Sequence, residues 1–253
     1  MKLSKISLLH YIKLGCRSLL FLSATIIYLY FRLTDKEVSI SNLELTLVFA
    51  IIWLLYFLEM ILRFFPSNFE SMGCQKQFKI NYLPANDINI TPFKQKPLTT
   101  FYVLLSWIIL NGIIGGLYFA NIFDKGILLL ISFAYGVCDM ICILFFCPFQ
   151  TWIMKNKCCT TCRIYNWDFA MMFTPLIFIP SLYTYSLVIL SFILLFKWEL
   201  YYRKFPERYS EETNCNLQCK NCQEKLCHHK KQLRSFIKHQ IDKAKKIIKK
   251  ETD

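Results

Sequence analysis

The chain is organised around FTPLIFIPSLYTYS, residues 173–186, which contains two prolines at the centre of a long apolar run. The run covers residues 169–196 and carries no charged side chain. Two polar segments enclose it, KNKCCTTCRIYNWD at 155–168 and TNCNLQCKNCQEKLCHH at 213–229, and they hold seven of the twelve cysteines. If the apolar run returns the chain to the side from which it left, the two cysteine groups meet.

Pro175 and Pro180 predict that this run bends instead of forming one straight helix. Each proline removes a helical hydrogen bond, and each leg then has roughly 11 to 17 residues, which is short for a full crossing. The backbone at the bend must be enclosed by protein or wetted, because lipid cannot satisfy it. We therefore expect a proline-broken re-entrant hairpin, or a fifth and sixth span, with one kinked and tilted span as the alternative.

The remaining sequence predicts an all-α integral membrane protein. Hydrophobic residues make up 55% of the chain and its mean hydropathy is +0.36, which is more apolar than a soluble domain of this size needs. Four further apolar runs are each expected to form a transmembrane helix, the first of them a retained signal anchor. These runs are residues 18–31, 43–65, 98–123 and 127–146.

We expect four regions along the chain. A four-helix membrane region covers 1–147, and a cytosolic cysteine loop follows at 148–166. The membrane hairpin occupies 167–197, and a cytosolic cysteine-rich tail covers 198–253. The tail is expected to end in a basic amphipathic helix from residue 230, because apolar residues recur there every three or four positions with lysines between them.

The basic residues predict the orientation in a cell membrane. The formal net charge is +13, and a hairpin would place 27 of the 30 Lys and Arg residues on one side. Cytosolic loops carry an excess of Lys and Arg, so a multi-pass protein with both termini in the cytosol is expected. Anionic lipid headgroups are the expected partner of the basic tail, with a protein partner as the alternative. Nucleic acid is not expected, because no recognition motif accompanies the charge.

The cysteine spacing predicts a metal site. Cys159 and Cys162 form one C-x-x-C pair, and Cys219 and Cys222 form another. A two-residue gap lets both sulfurs of such a pair reach one ion from a tight turn, so we expect the two pairs to share an ion. Further residues have the right types for a second ligand set: Cys158, Cys215, Cys227 and His228 or His229.

Zinc is the expected metal, an iron–sulfur cluster is the alternative, and reduced cysteines without metal are a third interpretation. An odd number of clustered cysteines cannot be exhausted by disulfides, which favours a reduced compartment and metal. Cysteines elsewhere are expected to be ordinary reduced thiols, namely Cys16, Cys74, Cys138 and Cys142.

Asp139 is the polar residue of most interest inside the predicted spans. An ionised carboxylate there is costly without a partner. It predicts either a proton or cation site, or a structural carboxylate that bonds to Asn111 or pairs with Arg17. Glu59 and Arg63 are spaced i, i+4 on the second span and are expected to neutralise each other.

Three functions follow from these observations. The first is an interaction or scaffold protein whose zinc joins the 158–162 loop to the 215–229 tail. The second is a membrane electron-transfer subunit that holds an iron–sulfur cluster on the same cysteines. The third is a small transporter that uses Asp139 and Asn111. No phosphate loop and no hydrolase or metalloprotease motif occurs, so the sequence gives no reason to expect an enzyme.

Overall fold

The computed structural model describes residues 5–34, 43–66, 72–85, 91–92, 96–156 and 158–222. Within these ranges the chain forms seven α-helices and no strand. The helices are α1 (Lys5–Leu33), α2 (Leu43–Leu62), α3 (Met72–Gln75), α4 (Pro97–Phe119), α5 (Lys125–Leu144), α6 (Asp168–Phe173) and α7 (Leu182–Lys204). Seven 3₁₀ turns (Lys79–Asn81, Cys159–Thr161, Arg163–Trp167, Thr174–Phe178, Pro206–Arg208, Cys215–Leu217 and Cys219–Asn221) and one π turn (Phe149–Ile153) connect or extend them.

Four of the helices are long and apolar enough to cross a membrane, namely α1, α4, α5 and α7. A further helix, α2, is apolar over Leu47–Leu62. The outward faces of these helices expose large apolar side chains such as Leu19, Leu55 and Ile193. Apolar surface of this extent is suited to lipid. The predicted all-α architecture with helices that fit a membrane is therefore confirmed.

Side-chain contacts fix the directions of the long helices. At one end of α1, Tyr28 donates a 2.8 Å hydrogen bond to Asp124, which caps the start of α5. Farther back on α1, Arg17 contacts Asp139 near the end of α5. These two contacts make α1 and α5 antiparallel.

The helices α2 and α7 run parallel to each other. Trp53 Nε1 of α2 donates to Ser186 Oγ of α7 at 2.8 Å. Eleven residues later in each segment, Lys197 Nζ of α7 donates at 2.7 Å to the carbonyl oxygen of Phe64, just beyond the end of α2. Equal spacing on both helices keeps the pair in register along its length.

The segment 168–181, which we call the proline-broken segment, packs between the long helices. Its buried side chains are at most 3% exposed and belong to Phe169, Ala170, Met172, Phe173 and Leu176. Ser132 Oγ of α5 donates to the Met172 carbonyl oxygen at 2.8 Å. Pro175 stands at the start of a 3₁₀ turn, where its missing N–H is tolerated, and the chain is extended at Ser181 just before α7.

The two legs around this bend are unequal. The first is the short α6 with its 3₁₀ extension, and the second is the uninterrupted 23-residue α7. This differs from the two short legs expected from sequence, because both prolines lie before α7 and leave it intact. At the far end of α7, Glu199 contacts Arg163 and accepts a 2.9 Å hydrogen bond from Trp167 Nε1. The beginning of the first leg and the end of the second therefore lie side by side.

Gly115 allows α4 to approach the proline-broken segment. A Cβ at Gly115 would lie 2.5 Å from Phe178 Cζ, whereas one at Gly116 would meet nothing within 4 Å. The Phe178 ring also contacts the rings of Tyr118 and Phe119, at centroid distances of 6.1 and 5.7 Å. The Phe178 ring therefore has little room to move away from a methyl group added at Gly115.

We expect Gly115→Ala to lower the free energy of unfolding by about 1–3 kcal/mol, because the added methyl overpacks this contact. Thermal unfolding of the purified protein in detergent measures the effect. Gly116→Ala is the matched control and should be neutral or slightly stabilising, since alanine is the better helix former. Equal melting temperatures for the two variants would contradict the close packing of α4 on Phe178.

Candidate thiol site and buried charge network

Both C-x-x-C sequences fold into the same single 3₁₀ turn. The Cys162 N–H donates to the Cys159 carbonyl oxygen at 3.0 Å, and the Cys222 N–H donates to that of Cys219 at 3.3 Å. The backbone on either side of each turn is extended. This compact turn is the arrangement in which two sulfurs can face one metal ion.

The first turn packs against the end of α5, next to a buried glutamine. Cys159 Sγ donates to Gln150 Oε1 at 3.0 Å, and the Gln150 N–H donates to Cys147 Sγ at 3.4 Å. Cys147 is in turn hydrogen-bonded to Cys142 in the last turn of α5. Gln150 thus links the first C-x-x-C turn to two cysteines of a different part of the chain.

A cavity of about 160 Å³ lies at this contact. Five cysteines, two methionines and two aspartates are among its lining residues: Cys138, Cys142, Cys147, Cys159, Cys162, Met171, Met172, Asp139 and Asp168. Burial raises the pKa of the Cys162 thiol to about 12. This thiol is therefore protonated at neutral pH and forms a thiolate only when a nearby cation compensates the charge.

The second turn belongs to a tail that packs on residues 72–85. The Ala85 N–H donates to the Thr213 carbonyl oxygen at 3.1 Å, and the Cys215 N–H donates to that of Leu83 at 2.8 Å. Asn214, which is fully buried, donates to the Lys76 carbonyl oxygen at 3.1 Å. Both backbone hydrogen bonds and a side-chain hydrogen bond therefore hold the tail against residues 72–85.

The segment 72–85 also contacts the first turn. Gln77 Nε2 donates to the Thr160 carbonyl oxygen at 3.1 Å, and Asn166 Nδ2 donates to Gln77 Oε1 at 2.9 Å. Gln77 is only 1% exposed. Residues 72–85 therefore lie against the first cysteine turn and against tail residues 213–216, which precede the second turn.

The predicted metal ligands do not form a closed group in the part of the chain that the structure describes. Among those residues, no three or more His, Cys, Asp or Glu side chains are arranged to hold a metal ion. Cys158 contacts Thr160 Oγ1, and Cys215 Sγ lies 3.7 Å from the Pro84 carbonyl oxygen. The sharing of one ion by Cys159, Cys162, Cys219 and Cys222 stays a prediction. Cys227, His228, His229 and the predicted amphipathic helix from 230 lie outside the described residues.

Sequence reasoning did not connect Cys142 and Cys147 with the first turn. Cys142 was grouped with the scattered thiols, and Cys147 was noted only as the end of a span. One feature of the sequence does indicate that Cys142 and Cys147 lie near the first turn. Both lie where the fourth predicted span ends, and the loop that carries Cys159 begins within a few residues of that point.

Asp139 lies in a buried charge network and pairs with Arg17. Arg17 is 7% exposed, and its guanidinium is 3.0 Å from the Asp139 carboxylate and 3.3 Å from that of Glu59. Lys13 approaches Glu59 at 2.6 Å. The observed pair agrees with the second interpretation of Asp139 given above, a structural carboxylate that pairs with Arg17.

A second buried ion pair joins α2 to α6. Arg63 lies 2.7 Å from Asp168, both side chains are at most 7% exposed, and the guanidinium stacks 4.4 Å above the Phe169 ring. Glu59, which was expected to pair with Arg63, forms ion pairs with Lys13 and Arg17 of α1, and Arg63 forms one with Asp168 of α6. Asn111 Nδ2 donates to the Trp107 carbonyl oxygen of its own helix, so this amide does not serve Asp139.

No family model matches the chain, and no curated protein or solved structure matches it either. Its function is therefore inferred from the residues of the thiol site and the charge network themselves.

We expect Arg17→Met to lower the free energy of unfolding by about 3 kcal/mol or more, because it leaves two buried carboxylates with a single cation between them. Unfolding by heat or by denaturant in detergent micelles measures this loss. The control is Arg32→Met on the same helix, where the arginine is 74% exposed and lies 4.0 Å from Asp124. That exposed pair contributes roughly 0–1 kcal/mol, so its loss should be small. Similar losses in both variants would contradict the structural role of the Arg17 network.

Proposed function

We propose that this protein crosses the cell membrane six times, with both termini in the cytosol, and that its cytosolic face is a scaffold held together by thiolate-bound metal. The proposed orientation is supported by the distribution of charge. Among the described residues, the end of the helices that carries the cysteine turns has most of the basic side chains. The opposite end has Arg32 and Lys125. Membrane proteins keep the more basic end in the cytosol.

The proposal of six crossings depends on the first leg of the hairpin. Residues 163–178 comprise two 3₁₀ turns and α6, and at about 2.0 and 1.5 Å per residue they extend roughly 30 Å, close to the hydrocarbon thickness. Trp167 contacts Glu199 at one end of this leg, and Phe178 contacts the last turn of α4 at the other. These contacts support a leg that runs across the membrane and is followed by α7 in the opposite direction.

The orientation can be tested with reporter fusions. Fusions after Asp253 and within residues 148–157 should both report the cytosol, and one within residues 120–124 should report the outside. A single crossing over the same region would move only the fusion after Asp253 to the outside. That result would refute the hairpin.

One observation carries the proposal of a metal scaffold: both C-x-x-C pairs adopt the same hydrogen-bonded turn. Zinc suits such pairs because it prefers four thiolate or imidazole ligands and has no redox chemistry that would require a partner. Residues 72–85 contact the first turn and the tail residues 213–216 that precede the second turn, so metal at either turn would order the surface that joins loop and tail. The transport alternative has no comparable support, because Asp139 is already paired with Arg17.

We expect the protein purified without added chelator to contain stoichiometric zinc, measured by plasma mass spectrometry. Cys159→Ser/Cys162→Ser should lower the bound metal and increase proteolysis near residue 215, because structural zinc contributes roughly 10 kcal/mol or more to local order. Cys16→Ser on the exposed face of α1 is the matched control and should keep all of the metal.

Two results would overturn the zinc proposal. Protein prepared without oxygen that is coloured and contains iron and sulfide would identify an iron–sulfur cluster and an electron-transfer role. Protein that contains no metal and binds none when zinc is supplied would leave the cysteines as plain thiols.

A further inference from the structure

We propose that Cys142 and Cys147 complete the site of the first C-x-x-C turn, so that one thiophilic metal ion is held by the sulfurs of Cys142, Cys147, Cys159 and Cys162. This inference rests on the proposed metal scaffold and names the ligands of one of its sites. It assigns the first turn to a metal site that does not include the tail, whose cysteines would bind metal independently.

All four cysteines belong to the lining of one cavity. Cys142 comes from the last turn of α5, Cys147 from just beyond it, and the other two from the 3₁₀ turn at 159–161. The tail cysteines that the structure describes do not line this cavity. The volume, about 160 Å³, is ample for a single ion.

Cys147 lies beside Cys142 at the end of α5. The N–H groups of Phe145 and Phe146 both donate to the Ile141 carbonyl oxygen, at 2.8 and 3.1 Å. The second of these hydrogen bonds is one residue longer than the α-helical pattern and marks the end of the helix. Cys142 and Cys147 are thereby held in hydrogen-bonding contact as a second preformed pair.

Hydrogen-bond donors already point at the sulfurs as a thiolate site requires. The Gln150 N–H donates to Cys147 Sγ at 3.4 Å. Cys159 Sγ lies 3.0 Å from Gln150 Oε1, so the same glutamine contacts a sulfur of each pair. Donors to the sulfur favour the charged form and orient the ligand, which is the role of the groups behind metal-binding cysteines.

Without an ion, the two cysteine pairs do not lie close enough together to form one binding site. A tetrahedral ion with bonds of about 2.3 Å needs sulfurs about 3.8 Å from one another, and the described residues contain no group that is already closed to this degree. Binding of one ion by all four sulfurs therefore requires the two pairs to move closer together. Each thiol releases its proton to solvent as it binds.

Zn²⁺ binding to the full-length protein in detergent provides the test. Metal stoichiometry and the number of coordinating sulfurs, from X-ray absorption, are measured for Cys142→Ser/Cys147→Ser, for Cys219→Ser/Cys222→Ser and for Cys138→Ser. We expect the first variant to lose the ion held by the 159–162 turn. The second should keep that ion. Cys138→Ser is the matched control on the same helix and should keep full stoichiometry and sulfur number.

A measurement on the unmutated protein guards against variants that fail to fold. Alkylation followed by mass spectrometry should show that zinc protects Cys142, Cys147, Cys159 and Cys162 together and that a chelator exposes them together. Zinc that protects the 159–162 pair with Cys219 and Cys222, but not Cys142 and Cys147, would overturn this inference and leave the metal scaffold intact. A full-length protein that binds no zinc would overturn the scaffold itself.

Discussion

Lipid cannot hydrogen-bond to a peptide group, and this constraint governs the centre of the molecule. The proline-broken segment 168–181 contains a short helix, a 3₁₀ turn and an extended break, so its backbone cannot satisfy itself as a continuous helix does. The surrounding helices enclose it: Ser132 of α5 donates to one of its carbonyl oxygens, and Gly115 of α4 admits the Phe178 ring. The long helices are therefore arranged around the part of the chain that is least able to face lipid.

Buried ion pairs fix how deep each helix lies relative to its neighbours. Arg17 joins α1 to α5 and α2, and Arg63 joins α2 to α6. In a medium of low dielectric, a shift by one helical turn would separate charges that have no other means of solvation. Asp139 and Asp168, the acidic partners in these pairs, also line the thiol cavity. The charge network thus forms one wall of the candidate metal site, and the cysteine turn closes it from the other side.

The sequence predicted those features that depend on local chemistry. Apolar run length predicted α2, α4 and α5 to within a few residues, as for the run 127–146 and the observed α5 at Lys125–Leu144. The first helix, α1, begins at Lys5, well before the predicted start at residue 18. The two prolines predicted the break in the apolar run, and the C-x-x-C spacing predicted the tight turns. Features that depend on the approach of distant segments were missed. The pair of Arg63 with Asp168 and the contact of the first cysteine turn with Gln150, beyond the end of α5, both depend on where α6 and the preceding loop pack.

The contact between residues 72–85 and the tail has a consequence for the order in which the protein is made. Asn214 bonds to the Lys76 carbonyl oxygen across 138 residues of chain. At about 5–20 residues per second, a ribosome needs roughly 10–30 s to deliver Asn214 after Lys76 has been synthesised. During that interval the membrane helices from α4 to α7 must enter the bilayer, and residues 72–85 cannot yet contact the tail. The contact between residues 72–85 and the tail consequently cannot form before Asn214 has been synthesised, and a nascent chain that stops before residue 213 cannot complete it.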